Sequence, residues 1–118
     1  MSEELQSRNK RPLTSAEKGL VIALLRRGAG LELPEGWVNS VMASPMEDGG
    51  MGSLRFVSKD HPGDERCMGS QYSEIVFKDA DGVDVIASLN LDEQKQPFEL
   101  DVWRTDFKSL IAIPDSFD

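Results

Sequence analysis

Asp81-Gly82-Val83-Asp84-Val85-Ile86-Ala87-Ser88-Leu89-Asn90-Leu91 is the stretch that decides the fold. Val83, Val85, Ala87, Leu89 and Leu91 fall on one side of an extended chain, and Asp84, Ile86, Ser88 and Asn90 on the other. That period of two is a β-strand with one face covered. The pattern repeats on both sides. Before it, Ser73, Ile75 and Phe77 oppose Tyr72, Glu74 and Val76, and Asp79-Ala80-Asp81-Gly82 makes the turn. After Asp92-Glu93-Gln94-Lys95-Gln96, Phe98, Leu100 and Val102 oppose Glu99, Asp101 and Trp103. Connections this short make consecutive antiparallel hairpins, hence a meander.

Further out, Val41 and Ala43 lead to Met46 and the turn Glu47-Asp48-Gly49-Gly50, in which glycine supplies positive φ without steric cost. Leu54 and Phe56 then alternate with Ser53, Arg55 and Ser58, so these residues form a further hairpin. Residues 59–70, with Asp60, Pro62, Gly63, Asp64 and Gly69, read as an exposed loop. Upstream, Thr14-Ser15-Ala16-Glu17 is a capping box, followed by one apolar stripe of Leu20, Val21, Leu24 and Leu25. Arg26 and Arg27 complement the dipole of the last turn, and Gly28 suits the left-handed position beyond it, so a helix spans 15–27. Gly28 to Gly36 is a connector, with a helical turn at Trp37 and Val38. Residues 105–113 read as a turn or short helix, with Phe107, Leu110 and Ile113 plugging an end of the core.

The expected fold is therefore α+β: one main N-terminal helix packed on an antiparallel meander sheet of about five strands. Residues 1–12 are a flexible tail and 13–118 a single domain. The chain's 118 residues, 39% hydrophobic and 29% charged, suit one folded core and exclude wholesale disorder. No apolar run approaches a membrane span, and Met1-Ser2-Glu3-Glu4 lacks the start of a signal peptide. The single Cys67 suits a reducing compartment, so a cytoplasmic location is expected.

The net charge of -8 is unevenly placed. Residues 1–28 hold six bases and three acids; the rest holds seven bases and 18 acids. An acidic body repels phosphates and anionic lipid, which argues against nucleic-acid and membrane partners. It favours encounter with a basic protein, or serves solubility alone.

Catalytic constellations fare poorly. Aligned as a calcium loop on Gly82, the chain places Phe77 and Ser88 where carboxylates are required. Gly49-Gly50-Met51-Gly52 precedes a strand and lacks the Lys-Ser/Thr of a phosphate loop. His61 and Cys67 cannot close a structural zinc site, and nothing orients them as a nucleophilic pair. Glu99, Asp101 and Asp106 are the remaining candidates for a metal-dependent site, or else a solvated face with a partner such as Arg55. The expectation is a non-enzymatic protein without metal or other cofactor.

Trp103, Ile86, Tyr72 and Val76 fall on the nominally polar sheet face. Aromatic anchors flanked by acids make a protein-binding surface. The competing reading folds an end segment or the 105–113 region over that face.

Asp48-Gly49-Gly50-Met51-Gly52-Ser53-Leu54, Asp81-Gly82-Val83, Ser88-Leu89-Asn90 and the run from Glu99 to Phe107, with the opening Arg11-Pro12-Leu13-Thr14 and Glu17, carry a resemblance. Together they resemble a family of small, uncharacterised bacterial proteins, a domain of unknown function. The Trp103-Arg104-Thr105-Asp106-Phe107 ending is similar to endings among immunity proteins of bacterial toxin systems. The resemblance implies an origin and a class of function, and no catalytic residues.

The expected function is an acidic protein-binding module of the immunity type, docking on the basic surface of a toxin domain. Trp103 is its anchor, with Asp81, Asp84, Glu99 and Asp101 as steering or pairing charges. The alternatives are a metal-dependent enzyme built on the last strand's carboxylates, and a housekeeping accessory or assembly domain. Whether the chain self-associates stays open.

Overall fold

A computed structural model of the chain describes residues 10–57 and 66–117. Among them, helix α1 spans Ser15–Arg27 and the single turn α2 spans Trp37–Ser40. The strands are β1 (Arg11–Pro12), β2 (Met42–Pro45), β3 (Leu54–Phe56), β4 (Met68–Lys78), β5 (Asp84–Asp92) and β6 (Pro97–Arg104). They form one sheet in the order β1-β2-β3-β6-β5-β4, every pair antiparallel.

The α+β class is as the alternation dictates, but the sheet has six strands and is not a simple meander. β4, β5 and β6 are consecutive neighbours, whereas β3 pairs with β6, Leu54 opposite Leu100 and Arg55 opposite Glu99. The β3–β4 connection therefore carries the chain from the middle of the sheet to its far edge. Alternation identifies strands and is silent on which strand lies beside which.

α1 begins as its capping box requires: Glu17 N–H donates to Thr14 Oγ1 at 3.1 Å, and Thr14 N–H to Glu17 Oε1 at 2.9 Å. The same carboxylate takes both Nη groups of Arg11, at 2.8 and 2.9 Å. Arg11 and Pro12, assigned from sequence to the tail, are the edge strand β1, paired with Ala43 and Met42. Residues 1–9 of that expected tail lie outside the described residues.

Leu20, Val21 and Leu24 of α1 are fully buried against the sheet face carrying Leu54, Phe56, Val85, Ala87, Leu89, Leu100 and Val102. Each buried Leu, Val or Phe among them contributes about 1.5–3 kcal/mol relative to exposure. Gly28 ends the helix with φ −90° and ψ −177°, extended and not left-handed. Its role is clearance: a Cβ there would lie 2.2 Å from the Tyr72 ring. Tyr72 itself does not stay on the polar face. A register shift between Gln71 and Ser73 turns it toward the helix, where its hydroxyl donates to Leu25 O at 3.4 Å.

β4 starts at Met68, inside the segment expected to be loop. The earlier part of that loop, with His61, lies outside the described residues. The 105–113 segment forms no helix. Leu110 and Ile113 pack on the core as expected, joined by Phe117, which meets Phe77 edge-on at 5.6 Å. Phe107 does not plug the core and is 70% exposed.

Candidate functional site

The sheet has one face against α1 and one face that no described helix covers. Along the second face the register sets side chains in rows across β4, β5 and β6. Lys78 and Asp84 form the first row, Val76, Ile86 and Trp103 the next, then Glu74, Ser88 and Asp101, then Gln71, Asn90 and Glu99. The apolar row is open to solvent: Val76 is 58% exposed and Trp103 40%. Phe107 extends it, its ring 5.7 Å from that of Trp103.

Phe107 is held out by backbone geometry. Its N–H donates to Arg104 O at 2.8 Å, closing a turn in which Phe107 has φ +64°. Positive φ is uncommon for a bulky residue and persists only where the surroundings enforce it. Here the enforcing contacts come from Arg104. Its side chain is 4% exposed and uses all five N–H donors on three carboxylates. Nη1 reaches Asp79 at 2.7 Å and Asp81 at 3.1 Å, Nη2 reaches Asp81 and Asp106, and Nε reaches Asp106 at 2.8 Å.

Burial pushes the Asp79 carboxyl up. The N–H groups of Ile111, Ala112 and Ala80, with Arg104, outweigh that and hold it down at about 2. Arg104 and the Lys108 N–H bring Asp106 to about 2. The Asp106, Asp81 and Asp79 carboxylates in turn raise the guanidinium. The aspartates of the calcium-like Asp79-Ala80-Asp81-Gly82 turn thus hold an arginine.

Of the five residues expected to meet a partner, Trp103, Asp101, Glu99 and Asp84 share the uncovered face. Asp81 lies in the β4–β5 turn, bonded to Arg104. The carboxylates on the face have local cations or donors: Asp84 pairs with Lys78 at 2.6 Å, Glu99 with Arg55 at 2.8 Å, and Asp101 lies 3.3 Å from Ser53 Oγ. Glu74 and Asp101 remain exposed beside the apolar row. Beyond Phe107, the 105–113 segment does not fold over the face. Asp79 binds its Ile111 and Ala112 N–H groups at 2.8 and 3.0 Å, and Ser109 donates to Gly49 O, which leads it to the helix side.

Phe107 is the functional candidate that sequence reasoning assigned elsewhere. Its position follows from the burial of Arg104, which depends on the distant Asp79 and Asp81 and leaves no local signal in the sequence.

The carboxylates proposed for a metal, Glu99, Asp101 and Asp106, are split between Arg55, Ser53 and Arg104. Among the described residues no three His, Cys, Asp or Glu side chains are gathered to hold an ion. A cleft of about 350 Å³ lies beside Trp37, Met42 and Pro97. The one charged side chain among its described lining residues, Arg66, is occupied by Asp92, Pro97 O and Phe56 O. No described helix is long and apolar enough to cross a membrane.

Residues 10–114 match the profile of a domain of unknown function (DUF6984), and the chain belongs to that family. The match takes in every described helix and strand. No curated protein and no solved structure matches the chain.

Proposed function

We propose that the protein is a non-enzymatic binding module of the immunity type, of bacterial origin, that docks its uncovered sheet face on a basic protein such as a toxin domain. The observation that carries this reading is the open row of Val76, Ile86, Trp103 and Phe107 bordered by Glu74 and Asp101. Aromatic side chains bury large areas on association, and a strained backbone keeping one of them in solvent is a cost that folding alone does not require.

The carboxylates serve this function in two ways. Glu74 and Asp101 attract lysine and arginine over a Debye length and so raise the association rate. Glu99 and Asp84 are already paired, so a partner's cations would exchange with Arg55 and Lys78 at little gain. Affinity then rests mainly on Trp103 and Phe107, and rate on Glu74 and Asp101.

The test uses the full chain as bait in its native host, with Trp103→Ala as control. A stoichiometric basic partner held by the wild type and released about thirtyfold or more by Trp103→Ala, with thermal unfolding unchanged, is the expected result. Association of the purified pair should slow with added salt. Absence of a partner, or one held equally by Trp103→Ala, overturns the reading.

A further inference from the structure

The two edges of the sheet are unlike. One is β1, two residues long with Pro12 in it, which offers almost nothing to pair with. The other is β4, eleven residues long, and no described strand lies beyond it. Register shifts interrupt β4 between Met68 and Ser70 and between Gln71 and Ser73. Bulges of that kind twist an edge away from neighbours, which leaves Ser73–Lys78 as its regular, pairable part.

We infer that this segment is a self-complementary interface, pairing antiparallel with the same segment of a second copy about a two-fold axis at Val76. The register follows from side-chain chemistry. An antiparallel pair that keeps the buried faces together must place odd residues opposite odd and even opposite even. Centring on Glu74 would set two glutamates against each other, and centring on Ser73 or Ile75 leaves Glu74 facing Tyr72 or Val76. Only the register centred on Val76 puts Glu74 opposite Lys78, and by symmetry does so twice. Opposite charges directly across a strand pair stabilise it, and like charges oppose it.

The same register sets Ile75 against Phe77 and Val76 against Val76. Val76 is 58% exposed in the monomer, and its row continues through Ile86 to Trp103. Pairing makes one apolar row running from Trp103 of one copy to Trp103 of the other. Lys78 remains available for a second carboxylate, since its side chain is 70% exposed even while it touches Asp84. This inference does not depend on the identity or existence of a foreign partner. Edge pairing of so few residues falls at the small end of interface sizes, so the dimer is a concentration-dependent one.

Sedimentation of the purified full chain tests it. The wild type should move from monomer to dimer as concentration rises. Glu74→Lys should weaken the dimer by about tenfold or more, because lysines then face each other at two places. The double exchange Glu74→Lys with Lys78→Glu should restore it. In a Cys67→Ala background, Val76→Cys should form an intermolecular disulfide on oxidation, its Cβ atoms being directly opposite, and Glu74→Cys should not. A wild type that stays monomeric up to about 1 mM overturns the inference. So does a Glu74→Lys dimer of undiminished strength, or a folded double exchange that fails to recover it.

Discussion

Arg104 and Arg66 sit at opposite ends of β6, each buried, each joining strand ends that the hydrogen-bond ladder alone would leave loose. At one end the Arg104 guanidinium is ringed by Asp79, Asp81 and Asp106. At the other Arg66 binds a single carboxylate, Asp92 at 3.1 Å, and two main-chain carbonyls, those of Pro97 and Phe56. Its plane also lies over the Phe98 ring, 5.1 Å from the centroid. Asp92 has independent support from the N–H groups of Gln94 and Gln96, at 2.8 and 2.9 Å. The difference is one of dependence. The Arg104 end gathers three carboxylates on one cation, and its buried Asp79 also ties the distant Ile111 and Ala112 N–H groups, whereas at the Arg66 end Asp92 takes the N–H groups of its own turn and the guanidinium ties backbone carbonyls.

The largest effect should come from Asp79→Ala. Asp79 is the fully buried member of its cluster and joins three elements: the β4–β5 turn, Arg104 and the N–H groups of Ile111 and Ala112. Breaking a buried pair by removing one partner costs about 3–5 kcal/mol. Denaturant unfolding should give that loss. Hydrogen exchange should show the Ile111 and Ala112 amides opening first, since their acceptor is gone. Slow exchange at both amides in the variant would show that the segment is held by packing of Leu110 and Ile113 instead.

Arg66→Met removes the cation at the other end, and it should cost less. It removes the donors to Phe56 O and Pro97 O but leaves Asp92 its two N–H groups, so a loss of about 1–3 kcal/mol is expected. Equality with Asp79→Ala in denaturant unfolding would remove the distinction between the ends.

The contrast also marks what the sequence made legible. Period-two alternation at Val83–Leu91 and Phe98–Trp103, and the capping box at Thr14 and Glu17, identified α1 and the central strands, because both signals are local. Strand order was not readable: β3 joins β6 through Leu54 and Leu100, residues 46 apart in the chain, and either could have paired elsewhere with the same alternation. Tyr72 escaped the alternation rule because a bulge inserts one residue and resets the side that follows. The candidate face was legible at Trp103, Ile86 and Val76, which follow parity. Asp81 was legible as a turn residue, but its bond to Arg104 was not, because that partner is buried and distant in sequence. Gly28 gave a true helix-stop signal for a different reason, the Tyr72 ring across the sheet.

A smaller effect, and one that separates the chemistry of the two ends without a large perturbation, is the response to acid. The Asp79 and Asp106 carboxyls titrate at about 2 in the folded chain, and an unfolded aspartate at about 3.9. Since the folded values are the lower ones, the unfolded chain takes up protons first. The stabilisation these groups provide is complete above about pH 4 and declines as pH falls toward 2. Burial pushes Asp92 up, but Gln96, Gln94 and Arg66 together bring it below its ordinary value, so it adds a slope of the same sign. Melting temperature should therefore fall between pH 4 and pH 2. The slope should be shallower in Asp79→Asn, which has no proton to gain and keeps one acceptor oxygen where the carboxylate offers Oδ1 to Ala112 N–H and Oδ2 to Ile111 N–H, so its stability starts lower at every pH. An Asp79→Asn protein that loses stability as steeply as the wild type over this window would mean that the Arg104 end does not hold Asp79 ionised.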